Sequence, residues 1–153
     1  MPITPRKGVR GIAPWHAATL SGKGYNMDLF TDMTHAVLAR VLDGTATRQR
    51  ALADNIANAD TPGYSRKEVR FEEELRLLIS RGAPDVPSMR EAAAEVDITT
   101  TDDVTSPRGL DGNNVVLERE MADVAINSLR YETTAQLMSM KLRELRTAIR
   151  EGR

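Results

Sequence analysis

Asn55-Ile56-Ala57-Asn58-Ala59-Asp60-Thr61-Pro62-Gly63-Tyr64 is where a long apolar periodicity stops. Thr61 precedes a proline and is pushed out of the helical region, while Pro62 fixes its own φ and has no N–H to donate. Pro62-Gly63 suits the two central positions of a type II turn, because glycine readily takes positive φ at the second. Asp60 is placed to accept backbone N–H bonds at that corner. A helix therefore ends near Asp60, and the chain turns sharply through Asn58–Tyr64.

Upstream, Phe30, Met33, Val37 and Val41 recur at spacings of three and four. A second row, Leu38, Leu42, Thr45, Gln49, Leu52, Ile56 and Ala59, keeps an unbroken alternation of four and three. One helix from Asp28 or Thr31 to Asn58 accounts for both rows. Two rows make a wide apolar stripe, so this helix should touch more than one partner. Gly44 lies inside it at a cost of roughly 1 kcal/mol relative to alanine; it either permits the close approach of another backbone or is simply tolerated. Residues 1–26 carry Pro2, Pro5, Pro14, Gly8, Gly11, Gly22 and Gly24, which predicts an irregular or disordered extension.

Downstream, Ser65–Arg70 is short and polar, and Phe71, Leu75, Leu78 and Ile79 share one helical face. Gly82–Pro87 breaks that segment, and residues 88–95 can form a helical turn or two. Val96, Ile98 and Thr100 alternate with Asp97 and Thr99, the pattern of one short strand. Pro107–Gly112 reads as loop. The last segment is the most regular: Leu117, Met121, Val124, Ser128, Tyr131, Ala135, Met138, Leu142, Leu145 and Ile149 hold the four–three spacing throughout. Asn113 or Asn114 is placed to cap it. Glu118 and Glu120 near its start, with Lys141, Arg143, Arg146 and Arg150 toward its end, suit the helix dipole. A helix of about 35 residues is roughly 50 Å long and cannot bury such a seam against itself. It needs the first helix and then other chains, and should stay partly disordered until neighbours supply the other side. The fold predicted is mainly α: two long terminal helices forming a coiled-coil-like hairpin around a short irregular middle with one short strand. Its segments are the extension at 1–26, the first helix and turn at 27–64, the middle at 65–112 and the last helix at 113–153.

Composition narrows the function classes. Aromatic residues make up only 4% of the chain, so Leu, Ile, Val, Met and Ala must do the packing, which suits helix-on-helix seams. The net charge of −1 exerts no overall pull toward nucleic acid. Arg6, Lys7, Arg10 and Lys23 stand alone at the N-terminus, so all 22 acidic residues follow them. Those sparse cations read as a solvated tail, and a nucleic-acid module built on it is disfavoured. There is no cysteine, hence no disulfide frame and no thiolate site. No apolar run spans a membrane and no signal-peptide pattern opens the chain, so an exported form would leave by another route. His16 and His35 are the only histidines, no carboxylates stand at metal-ligand spacing, and no glycine loop cradles phosphate. Glu72-Glu73-Glu74 reads as a solvated helix face, and Met121, Met138 and Met140 as packing residues. Nothing marks an activated nucleophile, so no catalysis, cofactor, metal or small-molecule substrate is expected.

The stretch Arg48–Tyr64 resembles the N-terminal signature of bacterial flagellar rod and hook axial proteins, which share an ANxxTPGY block. Asp28-Leu29-Phe30, then Arg66, Val69 and Phe71, and Asp111-Gly112-Asn113-Asn114-Val115 before the last helix are similar to the proximal-rod branch. So are Glu118, Glu120, Met121, Asn127, Tyr131, Lys141 and the ending Ala148–Arg153, and so is the short middle, where distal relatives insert larger domains. Ser65 departs from the Lys or Arg often found there. Residues 1–26 have no counterpart, and Met27-Asp28-Leu29-Phe30 looks like the family start; either Met27 initiates or the extension is lineage-specific. The resemblance implies a structural subunit at the base of the rod. It would assemble helically with copies of itself and other rod proteins, above the membrane ring and its adaptor protein. It would travel unfolded through the flagellar type III export apparatus. The expected assembly seam is Leu38, Leu42, Leu52, Ile56, Leu117, Met121, Val124, Met138, Leu142, Leu145 and Ile149. The turn containing Asn55, Asn58, Asp60, Thr61, Pro62, Gly63 and Tyr64 would set how subunits stack, and Leu29, Phe30 and Met33 are candidates for recognition by the export gate. A cytosolic helical-hairpin adaptor would carry the same seams but stay inside the cell.

Overall fold

The computed structural model describes residues 25–81 and 86–151, excepting the side chains of 25–33 and 86–89. The extension up to residue 24, the side chains of Leu29, Phe30 and Met33, and the Gly82–Asp85 corner lie outside the described residues. Along the chain follow α1 (Tyr25–Ala57), β1 (Lys67–Arg70), α2 (Glu72–Arg81), α3 (Val86–Glu95), β2 (Thr99–Asp102) and α4 (Leu117–Glu151). α1 ends one residue before Asn58, whose N–H bonds back to the Asp54 and Asn55 carbonyls at 3.1 Å each. α1 and α4 run antiparallel, because Asn55 meets Glu120 while Thr45 and Gln49 meet Asn127.

The middle segment packs on one flank of this hairpin. Ala51, Val69, Phe71, Leu75 and Val96 are buried together, with Val37, Val41, Leu78 and Ile98 against them. The wide stripe of α1 is thereby divided between this small core and α4. Phe71 points its ring at Gly44, where an added Cβ would lie 2.5 Å from the ring carbons. Gly44 thus admits a close neighbour, an aromatic ring rather than another backbone. The Arg48 guanidinium stacks 5.1 Å from the ring centroid and pairs with Glu72.

Two sequence expectations shift here. β1 and β2 form an antiparallel pair, Val69 opposite Thr100, so the middle holds two strands rather than one, and β2 begins at Thr99 instead of Val96. The alternation at Val96 and Ile98 reported burial in the core, not strand pairing. β1 went unseen because Val69 is its single apolar residue. The second shift concerns α4: it starts at Leu117, and Glu120 N–H bonds to the Val116 carbonyl, so neither Asn113 nor Asn114 caps it.

Candidate functional site

The turn after α1 has the predicted geometry. Gly63 sits at φ 73° and Tyr64 N–H donates to the Thr61 carbonyl at 3.2 Å, as a type II turn requires. The turn is not free: Gly63 N–H donates to the Asp111 carbonyl at 2.9 Å. Asn113, buried, turns its amide onto the carbonyls of Asn58 (3.0 Å), Ala59 (2.8 Å) and Thr61 (2.9 Å), which the end of α1 leaves without helical partners. Its Oδ1 accepts from Val115 N–H at 2.7 Å. Asn113 therefore caps the C-terminus of the first helix, across the fold, instead of the N-terminus of the last. Asp60 is exposed and accepts no hydrogen bond among the described residues. The local cap is Asn58, which donates to the Asp54 carbonyl at 2.8 Å and accepts from the Thr61 hydroxyl at 3.3 Å. Ser65 Oγ accepts from Arg108 at 2.7 Å, so a cation from the 107–112 loop stands beside that position.

Beneath the turn lies a buried polar clasp. Asn55, fully buried, donates to the Lys67 carbonyl (2.9 Å) and to Glu120 Oε2 (2.8 Å). Its Oδ1 accepts from Lys67 N–H (2.8 Å) and the Tyr64 hydroxyl (3.3 Å), which uses all its hydrogen-bonding capacity. Glu120, also fully buried, takes Arg66 Nε on its other oxygen at 2.5 Å. Arg66 reaches Asp123 at 3.1 Å and lies 3.9 Å from Asp103. Burial alone would lower the Arg66 pKa, but the Glu120 hydrogen bond and charge, with Asp123 and Asp103, raise it above the ordinary value. Asp103 is held far below the usual carboxylate range by hydrogen bonds from the hydroxyls of Ser106 and Thr105 and from both their backbone N–H groups. Asn114 completes the clasp, accepting from Arg66 N–H at 2.6 Å and donating to the Asp103 carbonyl at 2.7 Å. The turn, β1 and the start of α4 are thus tied by charge-assisted bonds, which are stronger than neutral ones.

The clasp continues a polar line down α4. Glu120, Asn127 and Thr134, seven residues apart, are the buried residues of that helix. Asn127 donates to the Thr45 carbonyl (3.0 Å) and Gln49 Oε1 (2.8 Å), while its Oδ1 has no donor among the described residues. The apolar row read from the sequence lies beside this line. Val124, Met138 and Leu145 are half-buried, but Met121 (60%), Leu142 (52%) and Ile149 (70%) face outward, as does Leu117. On α1, Leu52 is buried and Leu38, Leu42 and Ile56 are half-buried. The expected seam is therefore split, its α1 part mostly engaged within the chain and much of its α4 part open. Sequence reasoning missed Arg66, Asp103, Asn114 and Asn127 as a connected set, and took Glu120 for a dipole partner. A seven-residue polar period one step ahead of the apolar row was the available signal.

Comparison with known proteins accounts for this architecture. The family model described as "Flagella basal body rod protein" matches residues 42–64, the second half of α1 and the turn. The flagellar basal body rod protein FlgB of Escherichia coli (strain K12) is 33% identical over 125 residues, covering 70% of this chain and 86% of that protein. The chain belongs to the FlgB family of flagellar basal body rod proteins. FlgB of Cereibacter sphaeroides is 35% identical over 118 residues, covering 74% of this chain and 91% of that one. FlgB of Bacillus subtilis (strain 168) is 28% identical over 134 residues, 83% of this chain and the whole of that one. The protein is accordingly a structural subunit of the rod in the flagellar basal body, not an enzyme. Among the described residues no group of three or more His, Asp or Glu is arranged to hold a metal ion, and no helix is long and apolar enough to cross a membrane.

Proposed function

We propose that this chain is a proximal-rod subunit, assembling helically with copies of itself and other rod proteins above the membrane ring and its adaptor. It reaches the periplasmic rod unfolded, through the flagellar type III export apparatus, with Leu29, Phe30 and Met33 as the recognition element. The extension at 1–26, the first helix and turn at 27–64, the middle at 65–112 and the last helix at 113–153 act as separate working parts. One observation carries the reading: α4 presents large aliphatic side chains to solvent along the row that sequence periodicity marks as a seam. Exposed apolar rows of this extent are partner surfaces. Leu117, Met121, Leu142 and Ile149 then meet neighbouring subunits, while Leu38, Leu42, Leu52, Ile56, Val124, Met138 and Leu145 hold α1 against α4 and complete the same seam at its edges.

The turn sets the angle at which the chain leaves α1. Gly63 needs a positive φ that a β-branched residue rarely adopts. Pro62→Ala and Gly63→Val should each impair rod assembly while secretion of the subunit continues. Normal swimming by both strains would refute the role given to the turn.

A further inference from the structure

The α1–α4 hairpin has two unlike flanks. On one, a groove of about 900 Å³ opens between α1, α2 and α4, with Val41, Phe71 and Leu75 in its floor and the exposed Leu129 at its edge. Arg76 and Arg130 line it together with Ile79. Arg76 is exposed and makes no ion pair among the described residues, and Arg130 reaches only Glu72, at 3.7 Å. Glu72 also lines the groove but is already paired with Arg48 and Arg130, so the groove is apolar inside with a small positive surplus from Arg76 and Arg130. On the other flank, Glu118, Met121, Ala125, Ser128 and Glu132 follow one another at three–four spacing and form a single face of α4. Met121 is exposed there, and so is Tyr131 further along the helix. Glu118 and Glu132 are exposed and form no ion pair among the described residues. This face is apolar and small-residued in its centre with a carboxylate at each end.

We propose that the groove of one copy takes the Glu118–Glu132 face of α4 from a second copy, Arg76 and Arg130 facing those carboxylates. The inference rests on the rod reading and names the partner surface within it. Charge complementarity identifies the occupant, since Arg76 and Arg130 line the groove while Glu118 and Glu132 stand on the other flank, where Arg50 is the cation nearest Glu132 in the same hollow. Such a contact is head-to-tail: each copy offers one groove and one ridge, so repetition builds a ring or a helix and not a two-fold dimer.

The test uses intact hook–basal bodies carrying a photo-crosslinking benzoylphenylalanine in place of Ile79. After irradiation, the product should join two copies, with the attached peptide drawn from residues 117–136 of the second. A link between the Ile79 regions of two copies, a link to a different protein, or no product overturns the proposal. Absence of the protein from hook–basal bodies would instead remove the rod reading, so the two failures are distinguishable. Independently, R76E with R130E, and E118R with E132R, should each lower the recovered rod about tenfold, as like charges meet. Combining all four should restore it; no restoration in a combined variant of normal helix content also overturns the proposal.

Discussion

Replacing Glu120 by alanine removes the carboxylate at the centre of the clasp. Arg66 would keep Asp123 at 3.1 Å and the more distant Asp103, but its Nε would lose its acceptor in a site of near-complete burial. Removing one partner of a buried ion pair costs about 3–5 kcal/mol, and the remaining acids place this case at the lower end. Asn55 would also lose the acceptor of one amide hydrogen, adding about 1 kcal/mol. The sum, ~4 kcal/mol, is a large part of the 5–15 kcal/mol typical of a folded domain. It should move the thermal midpoint down by roughly 10–15 °C. Glu120→Gln keeps the volume but turns an amide N–H₂ toward a donor, so it should cost about 2 kcal/mol. Glu118→Ala, exposed two residues away, should stay within ~0.5 kcal/mol of wild type. Urea denaturation followed by circular dichroism measures all three, and a double-mutant cycle with Arg66→Met should give a coupling of at least ~2 kcal/mol. An E120A protein within about 1 kcal/mol of wild type would refute the claim that this ion pair anchors α4 to the turn.

Gly44→Val gains a few tenths of a kcal/mol in helix propensity but forces Phe71 aside, and overpacking of this kind costs about 1–3 kcal/mol. A net loss near 2 kcal/mol is expected, partly recovered by adding Phe71→Leu; a stabilised G44V in urea melts would contradict the packing. Asn113→Ala leaves the Ala59 carbonyl without its donor and takes one of two donors from the Asn58 and Thr61 carbonyls, and should cost about 2 kcal/mol. Asn113→Asp should be at least as harmful, because it sets a carboxylate against those same oxygens; an innocuous Asp would show that the amide is not the latch. For pH, Asp103 is depressed by the Ser106 and Thr105 hydrogen bonds, and Glu72 is lowered because the Arg48 hydrogen bond and charge outweigh its burial. Both groups are ionised in the folded and unfolded states at neutral pH. Their stabilisation is full above the unfolded carboxylate values near ~4 and is lost as pH falls toward the folded ones. Thermal midpoints should stay level from about pH 8 to 5 and fall below about pH 4, and Asp103→Asn should shallow that acid limb; an unchanged limb would mean Asp103 carries none of it.

The parts legible in the sequence were those that local chemistry dictates. Pro62 and Gly63 located the end of α1 and the turn type because each acts on its own backbone, and the three–four spacing located α4 almost to the residue. The clasp was not legible, because Glu120 is buried by Asn55 and Arg66, far away in sequence, and a polar residue near a helix start reads locally as a dipole partner. The same held for Asn113 and Asn114: their spacing from α4 matched a cap, whereas the carbonyls they serve belong to other elements. β1 was invisible since four residues with one apolar side chain carry no periodicity. The apolar row of α4 was identified correctly as a row, yet it lies on the edge of the hairpin, with the polar line Glu120–Asn127–Thr134 nearest α1.

Electron microscopy of basal bodies from a strain lacking this gene tests the structural role most directly. A proximal-rod subunit predicts membrane rings that carry no rod, with rod and hook restored when the gene is re-expressed. Complete hook–basal bodies in the deletion strain would contradict it and move the helical-adaptor reading to the front.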